Sequence, residues 1–247
     1  MPRKFGLLGK NISYSFSRGY FTEKFDALGL EDHSYVNFDV PQIEDIKTIV
    51  NNTEDLVGFN ITIPYKEAIF PYLSEVDPKA KAIGAINVVK VLENGLKGYN
   101  TDVIGFERSI APHLKKQHQK ALILGTGGAS KAVEFALKSL GLHCQLVSRV
   151  ASENKWSYDQ LDNQIMEQYT VIINCTPLGT FPNVEQKPDI PYQYITKEHL
   201  VYDLIYNPET TSFMKHAQAN GATALNGHLM LKLQAEAAWE IWNDISH

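Results

Sequence analysis

No run of apolar residues in this chain approaches the ~20 that a membrane-spanning helix requires, so no segment is expected to enter a bilayer. Basic residues are not concentrated either. Lys115, Lys116 and Lys120 form the densest cluster, which reads as a solvated helix end, and the formal net charge is -5. Nucleic-acid binding draws on a concentrated basic surface, so that class is excluded. Cysteine is scarce, with Cys144 and Cys175 the two present. Each lies in an apolar, strand-like run and is expected to be a small buried hydrophobe in a reducing compartment. No Cys-x-x-Cys or Cys/His spacing marks a metal site. The opening segment, Met1 to Gly9, is too poor in apolar residues for a secretion signal. Internal repeats and low-complexity tracts are missing as well. These absences leave a cytoplasmic globular protein whose partner is a small molecule, with no nucleic acid, membrane or metal.

What is present is enough for one large domain or two small ones: 247 residues, 44% hydrophobic and 21% charged. Strand-like and helix-like segments alternate throughout. Residues 5–8, 35–38 and 57–63 read as strands, with helices at 17–28, closed by Gly29, and at 43–50. Pro64 cannot continue a central strand, so Tyr65 and Lys66 are expected to open a helix. Asn94-Gly95 is a hairpin signal between strands at 85–92 and 96–99. A helix near 102–114 joins the halves. The second half alternates more regularly, with strands at 121–124, 144–147, 171–175 and 200–204. Its helices fall at 130–140, 211–219 and 229–242. The proline-rich stretch 181–191 reads as an exposed excursion.

Between the strand at 121–124 and the following helix lies Gly125-Thr126-Gly127-Gly128-Ala129-Ser130. A glycine turn in that context suits a dinucleotide. Gly125 permits a tight turn, Gly127 lets a pyrophosphate approach the backbone, and the amides of Gly128 and Ala129 open a helix that attracts anions. Ser130 stands where the simplest fingerprint has its third glycine. About twenty residues further on, where an NAD site places an acid, the chain has Ser148-Arg149. An arginine without an acid beside it favours a 2′-phosphate, hence NADP.

The glycine turn assigns the nucleotide to the second half, so the first hundred residues carry something else. Lys66, closing Asn60-Ile61-Thr62-Ile63-Pro64-Tyr65-Lys66, would oppose the dipole of a helix it opened, so it needs another reason to be there. With Asp102, in Asn100-Thr101-Asp102, it would suit proton transfer to a carbonyl oxygen that gains charge. Ser15 and Ser17, read alone, are helix caps. Gln234 is a polar group on an apolar helix and needs a partner. Trp239 and Trp242 read as packing residues, and His228 has no chemical role.

Taken in order, these segments resemble the shikimate dehydrogenase family along nearly the whole chain. Ser15-Phe16-Ser17, Asn60 to Lys66, Gly84-Ala85-Ile86-Asn87, Asn100 to Gly105, Gly125 to Ser130, Asn174 to Gly179, Asp203 to Pro208 with Thr210-Thr211, and Met230 to Ala235 each match a family motif. The resemblance implies an α/β protein of two α/β domains: an N-terminal substrate domain and a Rossmann-like NADP-binding domain, with a cleft between them. The expected substrate domain is 1–102 plus 227–247, and the dinucleotide domain 103–226. The implied reaction is NADPH-dependent reduction of 3-dehydroshikimate to shikimate, toward chorismate and aromatic amino acids. Lys66 and Asp102 are the implied catalytic pair, with Ser15, Ser17, Thr62, Asn87, Tyr206 and Gln234 on the substrate. Gly125, Gly127, Gly128, Ala129, Ser148, Arg149, Thr176 and Gly227 are placed at the cofactor, with Gly227 and Tyr206 near the nicotinamide and the substrate ring. A monomer or homodimer is expected. The rival readings are an NAD-dependent quinate/shikimate dehydrogenase and a non-catalytic dinucleotide-binding regulator. Departures from the family pattern are Arg18 for a proline, Ser148-Arg149-Val150 for Asn-Arg-Thr, Asn226-Gly227-His228 for Asp-Gly-Leu, and a shorter cofactor domain.

Overall fold

A computed structural model describes residues 1–12 and 16–245. It divides into two compact units, residues 1–101 with 235–247 and residues 102–234.

The first unit begins with β1 (Arg3–Gly9), α1 (Phe16–Ala27), β2 (His33–Asp39), α2 (Ile46–Asn52) and β3 (Leu56–Ile61). It continues with β4 (Glu75–Val76), α3 (Pro78–Ile83), β5 (Val88–Leu92) and β6 (Gly95–Tyr99). The sheet order is β2-β1-β3-β5-β6-β4. Strands β1, β2 and β3 are parallel, while β5 runs against both β3 and β6. Helix α1 ends as expected, with Gly29 at φ +65 and the Leu30 amide donating to the Phe25 carbonyl at 2.9 Å. Helix α3 was not foreseen, although its signals are in the sequence. Asp77 accepts the amides of Lys79 and Ala80, Pro78 takes the first turn, and Gly84 closes it at φ +73.

The expected helix at Lys66 is not there. Strand β3 ends at Ile61, and residues 66–69 make a single turn, with the Ile69 amide on the Tyr65 carbonyl at 3.1 Å. Pro71 brings no amide for an α-helical bond, so the turn tightens into a short 3-10 turn at Phe70–Tyr72 and stops there. The dipole argument for Lys66 therefore falls away.

The second unit opens on α4 (Asp102–Ile110), then β7 (Lys120–Leu124), α5 (Gly128–Ser139), β8 (His143–Ser148), β9 (Lys155–Ser157) and α6 (Asn163–Gln168). Next come β10 (Val171–Asn174), β11 (Leu200–Asp203), α7 (Ser212–Ala219), β12 (Thr223–Leu225) and α8 (His228–Trp242). Its sheet is wholly parallel, in the order β12-β11-β10-β7-β8-β9. Counted within the unit that is 3-2-1-4-5-6 read from the β9 edge, the doubly wound dinucleotide-binding order. Strands β9 and β12 and helix α6 are too short to carry a periodic signal and were not predicted.

Side chains alternate across this sheet, as the two-residue period requires. Leu122, Leu124, Ile172 and Val201 pack with Met166, Phe213 and Ala217 of α6 and α7. Tyr202 points the other way, onto Phe106 at 5.1 Å between centroids, and shares a 2.8 Å hydrogen bond with Ser109 of α4. Gly105 lets α4 and α8 meet closely: a Cβ there would lie 2.5 Å from the Met230 carbonyl oxygen and 3.0 Å from the Gln234 amide nitrogen.

Residues 235–242 of α8 return to the first unit. Trp242 is 1% exposed, donates its indole N–H to the Val89 carbonyl at 3.0 Å, and packs on Phe5 and Phe21. It occupies space left by Gly58, where a Cβ would lie 2.5 Å from the indole Cδ1. Lys24 of α1 bonds both carboxylate oxygens of Glu236, at 2.8 and 2.7 Å, and Tyr20 donates to the same carboxylate.

Candidate active site

In the first unit the carboxyl ends of β1, β2, β3 and β6 share one sheet edge with the start of β5. The register shows this directly: Gly9 lies opposite Asp39, Leu8 opposite Ile61, Asn60 opposite Val88, and Val88 opposite Tyr99. The segment after β1 is tied down by β2, whose Asp39 carboxylate accepts the amides of Asn11 and Ile12 at 2.8 and 3.1 Å. Asn37 donates to the Ile12 carbonyl at 2.9 Å. Ser15 lies outside the described residues, while Ser17 is half-buried in the first turn of α1.

Thr62 follows β3, its amide on the Leu8 carbonyl at 3.0 Å and its carbonyl accepting Tyr65 at 2.9 Å. Tyr65 anchors the turn, donating its hydroxyl to the Val40 carbonyl at 2.8 Å. Half-buried Lys66 is fixed through its carbonyl, which accepts the Ile86 amide at 2.8 Å. That bond joins the lysine segment to the segment carrying Asn87. Asn87 is 3% exposed and locked against Thr101: its oxygen accepts the Thr101 amide at 2.6 Å, and its nitrogen donates to Thr101 Oγ1 at 3.0 Å. Asn100 donates to the Ala85 carbonyl at 2.8 Å. With Thr62 in the turn before the lysine, this edge thus links the Lys66 backbone, Asn87 and Thr101 through hydrogen bonds between their segments. Asp102, next in the chain, is buried at the start of α4 and counted with the second unit.

In the second unit Leu124, Asn174 and Asp203 stand in one row at the carboxyl edge. Here the strand order reverses between β7 and β10, the position where doubly wound sheets take their ligands. Gly125 has φ +102, and a Cβ on it would meet the Cys175 carbonyl at 3.2 Å and Thr176 Cγ2 at 3.1 Å. Both its conformation and its neighbours call for glycine. Gly127 differs: it is exposed, has φ -80, and a Cβ would meet nothing within 4 Å. Packing does not require glycine there, and the open space leaves the backbone accessible to a group as large as a phosphate. It caps α5 without a side-chain hydrogen bond, so the leading amides of Gly128 and Ala129 have no side-chain cap. Ser130 replaces the third glycine by turning inward, its hydroxyl donating to the Gly127 carbonyl at 2.6 Å. These residues fit a dinucleotide phosphate.

Arg149 follows β8 and is exposed, with no acid next to it in sequence. Ser148 folds its hydroxyl back onto the Val150 carbonyl at 2.5 Å. Thr176 is engaged within its own turn: its hydroxyl donates to Asn174 Oδ1 at 2.7 Å and accepts the Leu178 amide at 3.3 Å. Half-buried Tyr206 follows β11. Gly227 is glycine because the Leu204 backbone passes over it; a Cβ would overlap the Leu204 carbonyl, 2.6 Å from its carbon. Asn226 accepts the His228 amide at 3.1 Å, an Asx turn that leads the chain through Gly227 into α8. Gln234 is 6% exposed, with one amide N–H on the Leu231 carbonyl at 2.9 Å. Cys144 and Cys175 are half-buried, less than expected, and burial pushes the Cys144 thiol up to about 12.

Sequence reasoning missed the buried organisers. Asp203 accepts Asn174 Nδ2 at 3.0 Å, the Ile205 amide at 3.1 Å and the Thr211 hydroxyl at 2.6 Å. It clamps the loops after β10 and β11 to the start of α7. Its surroundings push the carboxyl up to about 6, because desolvation outweighs those donors. The signal was available: an acid at the end of the apolar run Leu200-Val201-Tyr202 demands partners.

A doubly wound sheet, a glycine turn at its switch point and a separate lysine-bearing sheet edge define a two-unit, dinucleotide-dependent α/β oxidoreductase. Residues 7–89 match the model of the shikimate dehydrogenase substrate binding domain. The chain is 37% identical to the NADP(+) shikimate dehydrogenase of Clostridium botulinum strain Hall, over 96% of this chain and 95% of that one. It is 38% identical to the Methanococcus maripaludis strain S2 enzyme of the same name, over 97% and 91%. The Thermus thermophilus shikimate 5-dehydrogenase, crystallised with NADP(H) and shikimate, superposes with a TM-score of 0.86 at 29% identity, covering 98% of this chain and 93% of that one. The chain belongs to the shikimate dehydrogenase family.

Proposed function

We propose that this chain catalyses the reversible NADPH-dependent reduction of 3-dehydroshikimate to shikimate, a step toward chorismate and the aromatic amino acids. The observation that carries this reading is the first unit's edge, where Thr62, Asn87 and Thr101 are joined by backbone and amide hydrogen bonds to the segment bearing Lys66. Family membership over the full length supports it. NADP(H), when bound, supplies or takes up the hydride. The Gly125–Ala129 turn holds its phosphates, and Arg149 meets the 2′-phosphate. Ser148, Thr176 and Gly227 border the same site, with Thr176 offering its methyl and backbone.

The residues of the chain do the remaining chemistry. Negative charge builds on the ketone oxygen as the carbon gains hydride; the Lys66 ammonium stabilises that charge and delivers the proton. Asp102 orients the lysine and a neighbouring substrate hydroxyl. Ser15, Ser17, Thr62, Asn87, Tyr206 and Gln234 bind the remaining hydroxyls and the carboxylate. Residues 1–102 with 227–247 form the substrate domain on this reading, and 103–226 the cofactor domain. A cytoplasmic, monomeric or dimeric enzyme belongs to the same proposal.

The test is an assay of shikimate and quinate, each with NADP and NAD. Shikimate with NADP is expected to give the highest kcat/KM. A preference for NAD would refute the role of Arg149, and a preference for quinate the choice of substrate. No turnover at all would favour a non-catalytic regulator. In the same assay Lys66→Ala is expected to lower kcat by about 10²–10⁴ with a smaller change in KM, the usual size of an acid–base contribution. An unchanged kcat would remove Lys66 from the mechanism.

A further inference from the structure

Behind Ser17 lies a buried relay whose donor directions are fixed from the backbone outward. The Asn87 carbonyl can only accept, and it takes an N–H of Asn60 at 3.3 Å. The Asn60 amide is thereby oriented, leaving its oxygen toward Tyr35, which donates its single hydroxyl proton there at 2.7 Å. The Tyr35 oxygen can then only accept. Ser17 is its hydrogen-bond partner on the other side. Tyr35 is 6% exposed, and its ring is held by Phe21, stacked at 4.8 Å between centroids and 9° between planes. Asn60 is 4% exposed. The relay continues through the Asn87 side chain to Thr101, beside Asp102.

We propose that Tyr35 is a positioning residue: through Asn60 and the Asn87 carbonyl it fixes the rotamer and proton direction of the Ser17 hydroxyl that meets the substrate. As the relay stands, Ser17 turns its proton inward and its lone pairs outward, ready to accept a substrate hydroxyl. The inference rests on the proposal that Ser17 binds substrate.

The experiment is steady-state kinetics on Ser17→Ala, Tyr35→Phe and the double variant, with thermal melting as a check on folding. Tyr35→Phe is expected to raise KM for shikimate roughly five- to tenfold, on the order of one hydrogen bond. It leaves kcat within about twofold and KM for NADP unchanged, because the relay touches one substrate contact and nothing of the nucleotide. The double variant is expected to match Ser17→Ala alone, since Tyr35 acts only through that serine. Effects that multiply in the double variant would overturn the inference while leaving Ser17 as a substrate residue. An unchanged KM in Ser17→Ala would instead overturn the substrate role of the serine, and the inference with it. If Tyr35→Phe does not fold, Asn60→Ala removes the tyrosine's acceptor from the other side; the same rise in KM and the same non-additivity with Ser17→Ala are expected, and a KM that stays put refutes the relay.

Discussion

Replacing Asp203 by asparagine separates the shape of the clamp from its charge. In the folded chain this carboxyl titrates at about 6 against an ordinary 3.8. Ionising it there costs about 3 kcal/mol more than in the unfolded chain. The folded state binds the proton more tightly, so this contribution to stability is complete below 3.8 and is lost as pH rises through about 6. Asparagine keeps the oxygen that accepts Asn174 and Ile205 and has no charge to lose. It places an N–H opposite Thr211, whose hydroxyl must then turn away, at a pH-independent cost of about 1–3 kcal/mol. The two effects separate cleanly with pH. Urea unfolding of both proteins at pH 4.5 and 7.5 is the assay. The stability difference between them should move by about 2 kcal/mol in favour of asparagine over that range. The buried histidines His118 and His199, held below the usual range by burial, are common to both proteins and cancel. A difference that stays constant with pH would show that Asp203 is ionised in the fold at no extra cost and refute the reasoning.

Two further substitutions follow. Gly127→Ala meets open space at an ordinary φ, so the melting temperature should hold or rise slightly. On the proposed cofactor site KM for NADP should climb at least about tenfold, because the added methyl would stand in the way of the phosphate; unchanged nucleotide kinetics would place the pyrophosphate elsewhere. Trp242→Ala empties the space beside Gly58 and strips the Val89 carbonyl of its donor, for a loss of about 3–5 kcal/mol in chemical denaturation; a loss below about 1 kcal/mol would mean that the neighbouring rings close over the gap.

The second unit was the more legible in sequence. Its strand at 121–124 is a continuous apolar run, as a parallel strand covered on both faces must be, those at 171–175 and 200–204 are each broken by a single polar residue, and the glycine turn sits between strand and helix. Its short elements β9, α6 and β12 carry too few residues for any period to show. In the first unit, Tyr65 and Lys66 looked like a helix start because Pro64 precedes them. Pro71 a few residues later decides otherwise, and its effect depends on how far the turn must run. Thr176 and Gly227 look like ligand residues by position, and each also serves the fold: the threonine hydroxyl is engaged with Asn174 and the glycine makes room for the Leu204 backbone. Those are relations between segments far apart in sequence, which spacing alone does not contain. Asn60 and Asp203 were the readable omissions, since polar groups inside apolar strands announce a network before its partners are known.

Helix α8 makes the second unit an insertion within the first. During synthesis residues 102–234 emerge complete, while the first unit, begun earlier, still lacks the indole that fills the space beside Gly58. The segment made first therefore finishes last. Until Trp242 arrives, the apolar surface around Phe5, Phe21 and Val88 is open, exposed for the whole time needed to translate the intervening unit. Domains ordinarily mature in the order they are made; here that order is inverted, and a truncation just before Ala235 would leave the older unit with its core uncovered.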